Sequence, residues 1–187
     1  MWRRNDLRNA PYSHAGLYCP HAVVGAHRLS RDPDGVPQCV QAPSRPFSGL
    51  EFTALVQTNG RFYLRYALAR VVSQGAAAAT VNSTLTETAS RWPALLQGPQ
   101  PAAAVWLRLR LNVDAAARHA ACRDPLVDNL YGTLSSRVAD AVVLNRKLQL
   151  SVDTTAGLMG VERSAIAAAL LTAKRSLPSA FDDPEEE

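Results

Sequence analysis

The sequence predicts an all-α protein, and three observations carry that expectation. From Leu50 onward the apolar residues recur at helical spacing, as in Phe52, Leu55 and Val56 at i, i+3 and i+4. No segment of any length alternates with the period of a strand. Proline and glycine fall between the periodic stretches, where helices stop and start, at Pro93, Pro125, Gly160 and Pro178. The chain has 187 residues, 47% of them hydrophobic and 19% charged, which is a globular composition with room for one domain or two small ones.

Residues 1–48 carry Pro11, Pro20, Pro33, Pro37, Pro43 and Pro46 and the turn signal Arg31-Asp32-Pro33-Asp34-Gly35, and read as an irregular extension. They contain Cys19, His21, His27 and Cys39, residue types that bind zinc. The spacing C-x-H-x5-H-x11-C matches no standard zinc pattern, so these four are read as incidental. A first helix opens at Leu50, is interrupted by Gly60, and continues through Phe62, Tyr63, Tyr66, Leu68 and Val72. A second covers 76–92 with Val81, Leu85 and Ala89 on one face, and Pro93 begins a break. A third covers 102–118 and carries Arg108, Arg110 and Arg118. Residues 126–148 form one long helix or two. Ser151 is positioned to cap a short helix ending at Met159, and Gly160 stops it. The last helix spans 162–177, and Pro178 ends it.

Charge and chemistry narrow the function. The net charge is +4, although Asp182-Asp183-Pro184-Glu185-Glu186-Glu187 contributes five acidic groups. A basic body with an acidic tail fits a nucleic-acid binder whose tail competes for the same surface; a solubilising tail fits equally well. Only two lysines, Lys147 and Lys174, stand among 20 basic residues, a bias of base composition and not a sign of function. There is no P-loop, no H-E-x-x-H and no G-x-S-x-G, and the expectation is a protein that is not an enzyme and needs no cofactor. No apolar run approaches a membrane span, no leader is visible, and the three cysteines fit a reducing cytoplasm.

The most informative stretch is 134–177. A helix leads to a short helix ending in Ala156-Gly157-Leu158-Met159-Gly160-Val161, and then to a helix with Ile166 and Leu170 facing inward. This is helix-turn-helix grammar. A small residue lets the helices approach, a glycine supplies the turn, and an apolar residue packs beneath the second helix.

That segment resembles region 4 of sigma-70-type factors, in particular the extracytoplasmic-function (ECF) group. The matches fall at Leu134, Arg137, Val142, Leu144, Leu150, Ser151, Ala156, Leu158, Gly160, Ile166, Leu170, Ala173 and Arg175. The middle of the chain resembles region 2 of the same family. Phe52-x-x-Leu55 fits its opening, and Arg61-Phe62-Tyr63-Leu64-Arg65-Tyr66-Ala67 resembles its first core-binding helix. Residues 77–85 and 105–112 follow in the family's order, with Arg108, Leu109 and Asn112 in register. The resemblance covers about 50–177.

It implies an irregular extension (1–48), a region 2-like helical domain (49–118), a linker (119–126), a region 4-like helix-turn-helix domain (127–178) and an acidic tail (179–187). It further implies an ECF-like sigma factor acting in the cytoplasm with core RNA polymerase, promoter DNA and a regulatory partner such as an anti-sigma protein. DNA contacts would come from Arg108, Arg110, Asn112, Arg118, Glu162, Arg163, Ser164, Lys174 and Arg175. Polymerase contacts would come from Arg61, Tyr63, Arg65, Tyr66 and Asn82. The chain departs from the family where acidic and amide positions become Ala78, Ala79, Asn82 and Ser83, and where the recognition helix reads Ala165-Ile166-Ala167-Ala168-Ala169. The linker reaches only about 30 Å fully extended. A second reading therefore stands beside the first: a degenerate sigma-like regulator that acts through protein partners.

Overall fold

The computed structural model describes residues 48–120 and 123–181. Among them are seven α-helices and no strand. They are α1 (Ser48–Val71), α2 (Gln74–Leu95), α3 (Pro101–Arg118), α4 (Pro125–Thr133), α5 (Ser136–Val142), α6 (Val152–Met159) and α7 (Arg163–Ser176). Helix α5 widens into a π-helical turn, Val143–Lys147, and a 3-10 turn, Pro178–Ala180, follows α7. No single helix among the described residues is long and apolar enough to cross a membrane. The expected zinc candidates Cys19, His21, His27 and Cys39, the irregular extension and the acidic residues 182–187 lie outside the described residues.

Two of the expected breaks are absent. Helix α1 runs straight through Gly60, which is buried where an added Cβ would meet nothing nearer than Val56 Cγ1 at 3.8 Å. One glycine costs a helix about 1 kcal/mol, and the flanking apolar residues on the core side outweigh it. Helix α2 continues past Pro93 to Leu95, because a proline in the last turn removes only one hydrogen bond. Residues 126–148 form two helices, not one, separated at Leu134 and Ser135.

Local chemistry fixes the helix starts. Ser73 Oγ accepts from the Ala76 amide, and Ser151 Oγ accepts from the Thr154 amide at 3.0 Å. Pro101 opens α3 and Pro125 opens α4, where the missing N–H has no helical partner to lose. Asp124 caps α4 through the amides of Leu126 and Val127 and also pairs with Lys147. Burial works to raise the Asp124 pKa, but Lys147 and the two amides outweigh it and hold the carboxyl below its ordinary value.

All seven helices contribute to one apolar core. Tyr63, Tyr66, Leu109 and Val113 sit in it beside Leu130, Val142, Leu144, Leu158 and Ile166. Trp106 stacks at a tilt against Tyr66, with ring centroids 4.7 Å apart, and Trp92 against Phe52 at 5.3 Å. The α3–α4 connection falls at the expected linker, though α4 already begins at Pro125. Across that connection α3 packs on α6 and α1 packs on the π-helical turn.

The closest approach is at the α6–α7 turn. Gly160 adopts φ 61°, and a Cβ there would lie 2.2 Å from the Ala103 backbone nitrogen. Gly160→Ala therefore combines a left-handed backbone with a collision against α3. It should cost about 2–5 kcal/mol in urea unfolding. A cost below about 1 kcal/mol would show that α3 does not press on this turn. Val72, in the two-residue α1–α2 connection, also has positive φ (64°) and is 47% exposed. A β-branched residue is strained there. Val72→Gly should raise stability by about 0.5–1 kcal/mol in the same assay, in contrast to the usual effect of an added glycine.

Candidate functional site

The helix-turn-helix unit is built from local signals upward. Leu150 is buried and Ser151 caps α6. Thr155, Ala156, Leu158 and Met159 face the core. At Gly160 the chain turns left-handed, and the Val161 amide donates to the Ala156 carbonyl at 3.0 Å, closing the end of α6. Val161 is partly buried against the core. Helix α7 then leaves at 109° to α6, anchored inward by Ile166 and Ala173. An angle near 90–120° is the geometry of a helix-turn-helix pair.

The outward side of α7 is chemically uneven. Ser164, Ala167, Ala168, Leu171, Thr172 and Arg175 follow helical spacing and are all exposed, Leu171 at 58%. The middle of this face is small and apolar, with polar groups only toward the ends. Ala167 and Ala79 are exposed, whereas Ala169 and Ala78 are partly buried. At the leading end Arg163 pairs with Asp153 at 3.3 Å, in full contact with solvent on both sides.

The expected DNA contacts divide into two groups. Arg118, Glu162, Arg163, Ser164, Lys174 and Arg175 are exposed, five of them on or beside α7. The three from the middle of α3 are occupied within the fold. Arg108 pairs with Glu87 of α2 at 3.3 Å. Arg110 points to Asp140 of α5, 4.0 Å away. Asn112 Nδ2 donates to Thr84 Oγ1 at 2.9 Å.

The expected polymerase contacts also divide. Arg61 and Asn82 are exposed, and the Arg61 guanidinium lies 4.4 Å from the centre of the Phe62 ring. Tyr63 and Tyr66 are wholly enclosed and present no surface, a correction to the expectation. Both rings pack on Trp106, which places their i, i+3 pair on the inner face of α1. Burial pushes the Tyr63 hydroxyl up to about 12, against a smaller opposing hydrogen bond from Asn59. Arg65 is likewise committed: its Nη2 donates to the Leu148 carbonyl at 2.9 Å and closes the end of the π-helical turn.

Sequence reasoning missed the buried polar cluster that Tyr66 enters. Tyr66 donates to Asp140 Oδ1 at 2.7 Å, and Tyr131 donates to the same oxygen. Arg70 pairs with Asp114 and lies 3.3 Å from the centre of the Tyr131 ring. The cluster therefore draws on α1, α3, α4 and α5. Asp140 is fully buried, and its Oδ2 receives no hydrogen bond. Burial raises its pKa to about 6, and the Tyr131 and Tyr66 hydroxyls and Arg110 offset only part of that. The same burial, with the Asp140 charge, drives Tyr66 and Tyr131 well above the ordinary tyrosine value. One signal was available in the sequence: Asp140 is a single carboxylate inside the apolar run Val138-Ala139-Asp140-Ala141-Val142-Val143-Leu144.

The scattered aspartates each meet an arginine, Asp114 with Arg70, Asp128 with Arg123, Asp140 with Arg110 and Asp153 with Arg163. Among the described residues no three His, Cys, Asp or Glu side chains converge as a metal site would require. A scan against protein-family models and searches of the curated proteins and of the solved structures found no match to this chain.

The Asp140 carboxyl has a signed pH consequence. Its folded pKa lies above the unfolded value of 3.8, so the folded state holds the proton more tightly. Its contribution to stability is full below about 4 and is lost as pH rises through about 6. The stability of the wild type relative to Asp140→Asn should therefore fall by roughly 3 kcal/mol between pH 4 and pH 7. Urea unfolding across that range measures it, and a flat difference would mean the carboxyl is not buried as described.

Proposed function

We propose that this chain is an ECF-like sigma factor that binds core RNA polymerase and reads promoter DNA through α7. The observation that carries the reading is the α6–turn–α7 unit, with its 109° crossing and its left-handed Gly160. In such a unit the second helix enters a major groove with its N-terminal residues at the base edges. Glu162, Arg163 and Ser164 are exposed at that end, and Lys174 and Arg175 are exposed at the other, where cations meet phosphates. Helices α1 to α3 take the polymerase-binding role, with Arg61 and Asn82 at the surface. No catalytic group is assigned to the chain, because the polymerase supplies the chemistry.

A second reading is a degenerate sigma-like regulator acting through another protein. Ala167, Ala168 and Leu171, exposed in the middle of the α7 face, favour it. Bases are read by hydrogen-bonding side chains, which these three lack. The occupied state of Arg108, Arg110 and Asn112 favours it as well.

Two measurements separate the readings. Gel filtration of the full chain with core RNA polymerase should show co-elution if it is a sigma factor. Fluorescence anisotropy on duplex DNA tests α7 directly. Ala167→Lys with Ala168→Arg adds two cations to the exposed face without entering the core, as a change at Ala169 would. The variant should bind more tightly and steepen the slope of log K against log salt by up to about 2. An unchanged slope places α7 off the DNA, and loss of co-elution as well leaves the protein-partner reading.

A further inference from the structure

A groove remote from the helix-turn-helix turn has no occupant among the described residues. It lies between α2 and α3 and has a volume of about 240 Å³. Leu95, Leu107 and Leu111 form its apolar wall, and Glu87, Arg91 and Arg108 form its rim. Leu107 and Leu111 are each 48% exposed, whereas Leu109 between them is buried in the core. A single exposed leucine is ordinary, but two on successive turns, lining a concave surface, make a contact patch. The rim charges are unequally used. Glu87 already serves Arg108, while Arg91, one turn along α2, has no acidic partner among the described residues.

We infer that this groove is the interface of a two-fold homodimer, in which the α2–α3 hairpin of one copy lies antiparallel on that of the other. The argument is the self-complementarity of the pattern. Glu87 and Arg91 are four apart on α2, and Leu107 and Leu111 are four apart on α3, so both pairs repeat on one helical face. The Glu87–Arg108 contact sets the two pairs at the same level of the hairpin. A two-fold axis passing between Glu87 and Arg91 carries each charge opposite its complement, so that Arg91 faces the partner's Glu87. The same axis sets Leu107 against the partner's Leu111. An isologous contact needs this property, and a second copy of the chain already has it. The 18 residues of α3 give a contact about 27 Å long, which suits a dimer of micromolar strength, not a permanent one. The inference stands apart from the DNA-binding reading and does not require it.

Sedimentation velocity on the full chain tests it, from about 1 to about 100 µM. A monomer-to-dimer shift with concentration is expected. Arg91→Glu and Glu87→Arg should each weaken association by about tenfold. The two together should recover it to within about threefold, because the charges then complement again in reverse. Leu107→Glu with Leu111→Glu should abolish the dimer while leaving the helical circular-dichroism spectrum unchanged, since both side chains point to solvent. Three results would each overturn the inference: a chain that stays monomeric throughout, a dimer that survives the leucine changes, or a double charge reversal that fails to recover. The first would leave the groove to residues 1–47 or to a different protein.

Discussion

The structure depends on one buried carboxylate. Asp140 enters the core from α5, where no water solvates it, and must draw its partners from the rest of the chain. It takes Tyr66 from α1 and Tyr131 from α4, and it holds Arg110 of α3 at ion-pair distance. Arg70, stacked on Tyr131 and paired with Asp114, ties the cluster back to α1 and α3. Removing one partner of such a network leaves a buried charge less well satisfied, so the members stand or fall together. Apolar packing alone would let the two groups of helices slide against each other. The hydroxyl-to-carboxylate bonds have fixed directions and specify a single docking.

That docking also determines what the helix-turn-helix unit can present. Helix α3 packs on α6, and its first turn presses on Gly160. The unit therefore rests on a rigid support, and its orientation follows from the same contacts that bury Trp106 and Tyr66. Side chains spent on this arrangement are not free for a partner. Arg65, Arg110 and Tyr66 all have the chemistry of interaction residues, and all three are consumed inside the fold. The chain has kept exposed polar groups at the two ends of α7 and small residues at its centre.

Much of the fold could be read from the sequence because it rests on local physics. Helical spacing placed the inward residues Phe52, Val81, Leu85, Ile166 and Leu158 correctly, and Ser151 and Gly160 marked the ends of α6 through capping and backbone geometry. The errors came where tertiary packing overrides a local preference. Gly60 looked like a break because its intrinsic cost is visible in sequence, while the burial that offsets it is not. Tyr63 and Tyr66 looked like surface contacts because an i, i+3 pair shows a shared face without showing which way the face turns. The Asp140 cluster joins residues up to 74 positions apart, and no local pattern brings Tyr66 to Asp140. Its one trace, an acid set among apolar neighbours, marks the buried end of a pair without naming the partner.

The π-helical turn at Val143–Lys147 gives the chain a single-residue phase control. An α-helix advances about 100° per residue, and a π turn accommodates one residue more than an α turn over the same rise. Losing one residue between 143 and 147 would close this segment into ordinary α-helix. Everything downstream would then be rotated by about 100° relative to α5. Helix α7 would turn its Ala167 and Leu171 face to a different side of the molecule while keeping every one of its own residues. The direction in which this protein offers its outermost helix is thus set upstream, by how many residues fill one turn, and lineages that gained or lost that residue would differ in what they touch before differing in α7 itself.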